Sequence, residues 1–446
     1  MSLFPGSSSS TRHSKTDRWI VNYMTMAAGL FAFSYLVAYV WNSDNGTRGA
    51  TATLALLAGV KAIMSPTAHG VLRGRAMVFL SLMFCVALLN IVVSADLVQT
   101  SLRWLLWFGM VICFSRIVGA SDGSWMDALP QRLPFLFTVI YVTIIVEARF
   151  NANPTNVAFA YHLSGLYGNL ILACGLFAAK FWQRSVWVIV GLVAIFGSGA
   201  GGALFTIPIM FVPYILYSAS SMPVKGIAVA GLLMAGATFF LESQLFSQFL
   251  NIKLNVSATN SYSGLERLER SKEMRLQLVQ YGLALAQKNP LGTGLGHTYS
   301  DSISHDMGVS HVHNGTVTML IELGFPGFAV AISMLLWIFW TILRSRLIKN
   351  QVKGFYFTYF FTIFGRSLSE NYTPFDLGNY FNFVFLIMTA YFFLYDRSAR
   401  FTPGSSPRPA VPPGRMGPPR PGNFPPRPWP PPGVRPPPRR PMAFPG

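Results

Sequence analysis

The chain has 446 residues, of which 52% are hydrophobic and only 11% are Asp, Glu, Lys or Arg, with a mean hydropathy of +0.43. Soluble domains carry roughly 25% charged residues, so this composition excludes an ordinary soluble enzyme and points to a chain that crosses a membrane many times. The net charge of +18 does not argue for nucleic acid, because the Lys and Arg residues collect in short segments between apolar runs and in the C-terminal tail.

Residues 1–18 form a polar N-terminal tail. Apolar runs suited to the ~20 residues that cross about 30 Å of hydrocarbon follow at 19–41, 50–64, 76–95, 102–119, 134–148, 163–182, 186–198, 201–220, 226–241, 316–343, 354–369 and 379–395. No short N-terminal run ends in a signal-peptidase-like site, so the first run is expected as an anchor. Cys85, Cys113 and Cys174 lie inside apolar runs and read as small buried hydrophobes. No disulfide is expected.

The stretch 186–220 is too long for one comfortable span, and "GSGAGG" at 197–202 interrupts it. Breaking it there into two short helices makes the charges consistent with basic loops on the cytoplasmic side. One side then collects Arg12, Lys15, Arg18, Arg73, Arg75, Arg132, Arg184, Lys225, Arg344, Arg346, Lys349, Lys353 and the tail, whereas the other short loops hold little beyond Arg48, Arg149 and Arg366. The expected fold class is therefore all-α: a polytopic bundle of about twelve membrane helices. Spans 1–9 lie within 19–241, and a large external loop covers 242–313. The last spans lie within 314–396, and both termini are cytoplasmic.

The loop is balanced in charge and reads as a small folded cap. Within it, "GLERLERSKEMRLQLVQYGLALAQKNPLGTGLG" has apolar residues at 265, 268, 276, 279 and 283, a helical stripe ending at Asn289-Pro290 and a glycine-rich turn. An amphipathic helix lying against the membrane or the bundle is expected. Residues 397–446 are rich in Pro and Arg. Proline lacks the backbone donor and fixes φ, so this tail should be extended and polyproline-II-like. Its arginines suit anionic lipid headgroups; the alternative is docking to an SH3- or WW-type groove or to another cytosolic partner.

Four of the seven histidines, His297, His305, His311 and His313, fall within residues 297–313. Metal binding is one reading, since Asp301 and Asp306 are near, but no zinc-finger or HExxH spacing is present. General-base chemistry is the second, because histidine titrates close to neutral pH. Histidines merely solvated at a membrane face are the third. Asn314 is a good N-cap for the helix starting near Gly315, which would leave amide donors and the positive helix end facing the two histidines, as an anion site requires. Arg275 has no acidic residue at i±3 or i±4 and is expected to hold an external anion. Arg366, four residues before Glu370 near the outer end of a span, is either functional or a packing ion pair. Arg149, just beyond Glu147, is of the same kind.

Taken together, "MRLQLVQYGLALAQKNPLGTGLGH" and "HVHNGTVTMLIELGFPG" resemble the arginine-helix and histidine segments of the bacterial O-antigen ligase and Wzy-type polymerase superfamily. The matching positions are Arg275, the Gly-x-Gly turn, His313, Asn314, Glu322, Gly324 and Gly327, and the resemblance covers roughly 19–396. It implies a GT-C-like, metal-independent glycosyltransferase of the bacterial inner membrane, using a polyprenyl-pyrophosphate-linked oligosaccharide on the periplasmic face. By motif match, His313 would activate the acceptor hydroxyl with His311 assisting, and Arg275 would hold the pyrophosphate. Asn314 and Glu322 complete the expected substrate site. No cofactor and no metal are implied, and the partners are the lipid-linked glycan and membrane lipids, with polysaccharide export components as the alternative partner of the tail.

Members often carry a Ser-Arg pair at the turn between spans seven and eight, where this chain has "GSGAGG". Arg366 or Arg149 is the expected substitute. An exopolysaccharide polymerase is the reading adopted, with an O-antigen ligase acting on lipid A core as the rival within the class. A lipid-linked oligosaccharide transporter is the rival outside it. Transporters gather ionisable groups at the membrane midplane, whereas here Lys61, Arg116 and Arg366 all lie near span ends.

Overall fold

A computed structural model describes residues 15–41, 45–65, 75–217 apart from 95, 120, 122, 151–153 and 199, isolated positions from 223 to 230, 264–295, and 314–395 apart from 346–347, 369, 371 and 374–378. Among these residues the structure is all-helical, with no strand. In chain order the helices are α1 (Lys15–Trp41), α2 (Asn45–Met64), α3 (Arg75–Val93), α4 (Leu97–Gly119), α5 (Trp125–Phe150), α6 (Pro154–Gly175), α7 (Phe181–Ser198), α8 (Gly201–Tyr217), α9 (Gly264–Lys288), α10 (Gly315–Arg344), α11 (Asn350–Ser367) and α12 (Tyr380–Tyr395). Six of them, α1, α3, α4, α5, α7 and α10, contain stretches long and apolar enough to cross a membrane. Two shorter apolar stretches lie in α8 and α12.

The break expected near 197–202 is present, with α7 ending at Ser198 and α8 starting at Gly201. Other boundaries move. The runs expected at 163–182 and 186–198 are instead α6 ending at Gly175 and α7 starting at Phe181. Hydropathy misplaces the joint because the turn itself is apolar. Phe177 and Ala178 close it through backbone bonds to Cys174 and Gly175, and Arg184 Nη2 donates to the Ala178 carbonyl at 3.1 Å. The run expected at 134–148 is the second part of α5, which starts at Trp125. There the carboxylate of buried Asp17 accepts from the Ser121 and Ser124 hydroxyls just before the helix begins.

Helix α11 is buried on nearly every side, the mark of a central helix, and it packs against α5, α6, α8 and α10. Its Tyr356 and Tyr359 are fully buried among aromatic rings, Tyr356 beside Phe385 and Phe392 and Tyr359 beside Phe137. Helices α6 and α7 approach so closely that a side chain on Gly191 would lie 2.7 Å from the Leu172 backbone nitrogen. Small residues permit that approach, as in membrane helix pairs. By contrast, α2, α3 and α4 expose Ile63, Val92 and Leu105 at 77%, 79% and 71%, an apolar outer surface suited to lipid rather than water.

Polar contacts sort the helix ends into two sets. At one, Lys349 Nζ meets Asp127 at 2.6 Å, Gln351 reaches the Phe177 carbonyl at 3.4 Å, and Arg116 donates to Ser65 at 3.2 Å. The other set joins the ends of α3, α9 and α11 to the starts of α4 and α12 and to the first halves of α6 and α10. The candidate site is there.

Candidate functional site

Helix α9 ends as its sequence requires. Asn289 closes the last turn, and Pro290 cannot continue the ladder. The glycine-rich turn that follows bonds directly to α10: Thr293 N donates to Ile321 O at 2.9 Å, Gly294 N to Glu322 O at 3.2 Å, and Phe325 N to Pro290 O at 2.9 Å. These bonds are possible because α10 kinks at Gly324, with φ of 68°. A side chain there would sit in the left-handed region and collide with the Leu291 and Gly292 backbone. The Gly-x-Gly turn and the Glu-x-Gly kink are thus two halves of one latch.

Asn90 of α3, fully buried, fastens this latch to the bundle. Its Nδ2 donates to the Glu322 carbonyl at 2.7 Å, while its Oδ1 accepts from Leu295 N at 3.0 Å and from Trp104 Nε1 at 3.1 Å. One amide therefore satisfies three groups from three chain segments. Helix α9 lies on α10 through an apolar cluster of Leu278, Ala286, Val317, Leu320 and Ile321. Arg275 stands on α9 one turn before Leu278; its side chain lies outside the described residues, as does that of Arg149 at the end of α5.

At its other end α10 is capped as expected. Asn314 Oδ1 accepts from Thr316 N and Val317 N, both at 3.0 Å. The expectation that free amide donors would face an anion is corrected, however. Gly315 N donates to Glu370 O at 2.8 Å and Thr318 N to Asn314 O at 2.9 Å, so all four first-turn donors are occupied. The physical reason is burial: Gly315 sits against the Tyr372 carbonyl and Ser367, and a buried helix end cannot leave its amides unpaired. Positive charge for an anion must come from side chains.

A buried arginine stands close by. Arg366, at the end of α11, is fully buried and donates from Nη2 to the His162 carbonyl at 2.8 Å. His162 Nδ1 lies 2.9 Å from Glu370 Oε1, a close approach whose angle falls short of an aligned hydrogen bond. Tyr372 closes the group, its ring 6.0 Å from the Arg366 guanidinium. Burial pushes the Tyr372 phenol above its ordinary range, and the guanidinium pulls it partly back. The cluster is fastened to the α10 cap by the Gly315–Glu370 bond, and Asn314 Nδ2 reaches the Leu368 carbonyl at 3.4 Å.

Residues 185–332 match the O-antigen ligase family. That match supports the resemblance to the O-antigen ligase and Wzy-type superfamily. No curated protein matches it. The ligase-family segment runs from α7 to just beyond the α10 kink, so it takes in Arg275, His311, His313, Asn314, Glu322 and Gly324. His311 and His313 lie outside the described residues, but His313 is bonded covalently to the described cap Asn314. Asn90, His162, Arg366 and Glu370 lie outside the matched segment, yet they contact it or its immediate neighbours.

Sequence reasoning singled out Arg366 and Asn314, and the structure joins both to the 366–372 segment. It missed Asn90 and His162. Each is a lone polar residue inside an apolar run, "ALLNIVV" and "FAYHLSG", and that placement was the only signal available. Glu322 enters the latch through its backbone carbonyl.

Proposed function

We propose that the protein is an inner-membrane glycosyltransferase that polymerises polyprenyl-pyrophosphate-linked repeat units into exopolysaccharide. The family supports lipid-linked glycan chemistry in general, and the observation that carries the finer reading is the fastening of the α10 cap to the Arg366 cluster. Gly315 N on the Glu370 carbonyl joins the start of α10, two residues after His313, to the stretch that follows Arg366. A base and a cation at one place are what glycosyl transfer from a pyrophosphate needs.

In this reading His313, assisted by His311, takes the proton of the acceptor hydroxyl as its oxygen bonds to the anomeric carbon. The bond from that carbon to the pyrophosphate oxygen breaks, and the electron pair leaves with polyprenyl pyrophosphate. Arg275 and Arg366, with Arg149 as the alternative to Arg366, stabilise the developing negative charge. Asn314 holds the helix start that sets the direction of His313, and Glu322 belongs to the latch that places α9. Twelve spans with cytoplasmic termini follow from the charge pattern: Lys349, Lys353, Arg184 and Arg344 lie toward one set of helix ends, and the Arg366 cluster lies at the other, which is assigned to the periplasm. Residues 242–313 form the external loop, and 397–446 the basic cytoplasmic tail.

The test is His313→Ala in the native host with the donor lipid analysed. Single lipid-linked repeat units should accumulate and polymer should vanish, with the protein still in the membrane. Normal polymer would overturn the assignment. The family's ligase description favours a second reading, transfer of finished glycan to lipid A core, and the product separates the two: secreted polymer against sugar-modified lipopolysaccharide.

A further inference from the structure

We infer that His162 is a further imidazole of the site, beside His313 and His311, held through Nδ1 by Glu370 so that Nε2 accepts a hydrogen bond from a saccharide hydroxyl. The inference rests on the glycosyltransferase reading for its location, but it concerns the recognition of sugar rather than phosphate.

Three observations carry it. The Nδ1 atom is buried, yet the His162 side chain is 36% exposed, against 5% for Glu370. The Nδ1 edge therefore faces into the protein, and the rest of the ring is the accessible part. Secondly, an ionised carboxylate only accepts hydrogen bonds. A neutral imidazole beside Glu370 must present Nδ1–H to it, which leaves Nε2 as an acceptor. Thirdly, the buried Arg366 donates to the His162 backbone carbonyl, which fixes the helix turn that carries the ring.

An Nε2 acceptor discriminates between the parts of a lipid-linked glycan. Phosphate oxygens at neutral pH are acceptors and find no donor there, whereas a sugar hydroxyl is a donor. The cluster thus divides its labour, with the buried Arg366 supplying positive field toward phosphate and the exposed part of the His162 ring meeting saccharide. Tying both to the α10 cap keeps the two subsites in register with His313.

The experiment uses full-length protein in nanodiscs and two probes. One is the host's repeat-unit oligosaccharide released from its lipid by mild acid; the other is undecaprenyl pyrophosphate without sugar. His162→Ala should weaken oligosaccharide binding about threefold to tenfold, the range of one neutral hydrogen bond, and leave the pyrophosphate probe within about twofold. Glu370→Gln should weaken the oligosaccharide less, because the ring is retained and only its orientation is loosened. His162→Gln, which keeps an acceptor, should restore part of the binding, and a monodisperse elution profile confirms that each variant folds. Loss of pyrophosphate binding in His162→Ala, or no change with either probe, would overturn the inference. A wild-type protein that binds the oligosaccharide but transfers none of it would sink the glycosyltransferase reading while leaving this one standing.

Discussion

The two ends of the first half of α10 are held by devices of opposite chemistry. At the kink, the Asn90 latch is neutral, buried, and made largely of backbone groups satisfied by one side-chain amide. At the cap, the Arg366 cluster contains a cation, a carboxylate and a partly open imidazole. A neutral, closed network gains rigidity and a fixed register. A charged cluster costs desolvation and is weak evidence for stability, so its presence at the mouth of the histidine segment argues for function. Substitutions that separate folding from activity test this contrast.

The largest effect is expected at Arg366. Arg366→Ala empties a fully buried side-chain site and removes the bond to the His162 carbonyl, a loss on the order of 3–5 kcal/mol, and polymer synthesis should fall below detection. Arg366→Lys keeps the charge but not the planar fork. It should regain most of the stability, read as the melting temperature in detergent, while activity stays at least about tenfold down. Full activity in the lysine variant would reduce the cluster to packing.

Next comes the kink. Gly324→Ala places a side chain at positive φ and against the Leu291 backbone, which should destabilise by about 2–4 kcal/mol. Asn90→Ala strands the Leu295 and Trp104 donors and leaves the Glu322 carbonyl with only its bond from Gly294, at about 2–3 kcal/mol. For both, activity per folded molecule should stay within about threefold of wild type, measured on protein recovered as a monodisperse peak. A hundredfold loss in well-folded Asn90→Ala would erase the distinction between the two ends.

What could be read along the chain follows from the range of the interactions. The helix break at 197–202, the stop at Asn289-Pro290 and the Asn314 cap are set by residues within a few positions of one another, so local rules found them. The α6–α7 joint was misplaced because Phe177 and Ala178 are apolar yet form a turn. Asn90 and His162 escaped notice because their partners lie far along the chain: Asn90 meets Glu322 and Leu295, and His162 meets Arg366. The anion site expected at the α10 amides failed for the same reason, since the carbonyl that occupies Gly315 N belongs to Glu370. The identity of the cap was a local fact. What covered the helix end was not.

The smallest effect, at Asn314, bears most directly on that correction. If the first-turn amides are structural, the Asn314 side chain acts through the two bonds from Thr316 and Val317 and the longer one from Nδ2 to the Leu368 carbonyl. Asn314→Ala should then cost about 1 kcal/mol and lower activity severalfold by loosening the direction of His313. Asn314→Asp keeps an acceptor for both amides and favours the positive helix end, so stability should be unchanged or slightly higher. It also places a carboxylate next to His313, where a pyrophosphate anion would be repelled. A stable but poorly active aspartate variant, with its loss concentrated in KM for the lipid donor, would locate the phosphate within reach of the cap. An aspartate variant of normal KM would move the phosphate away from α10 and toward Arg275 on α9.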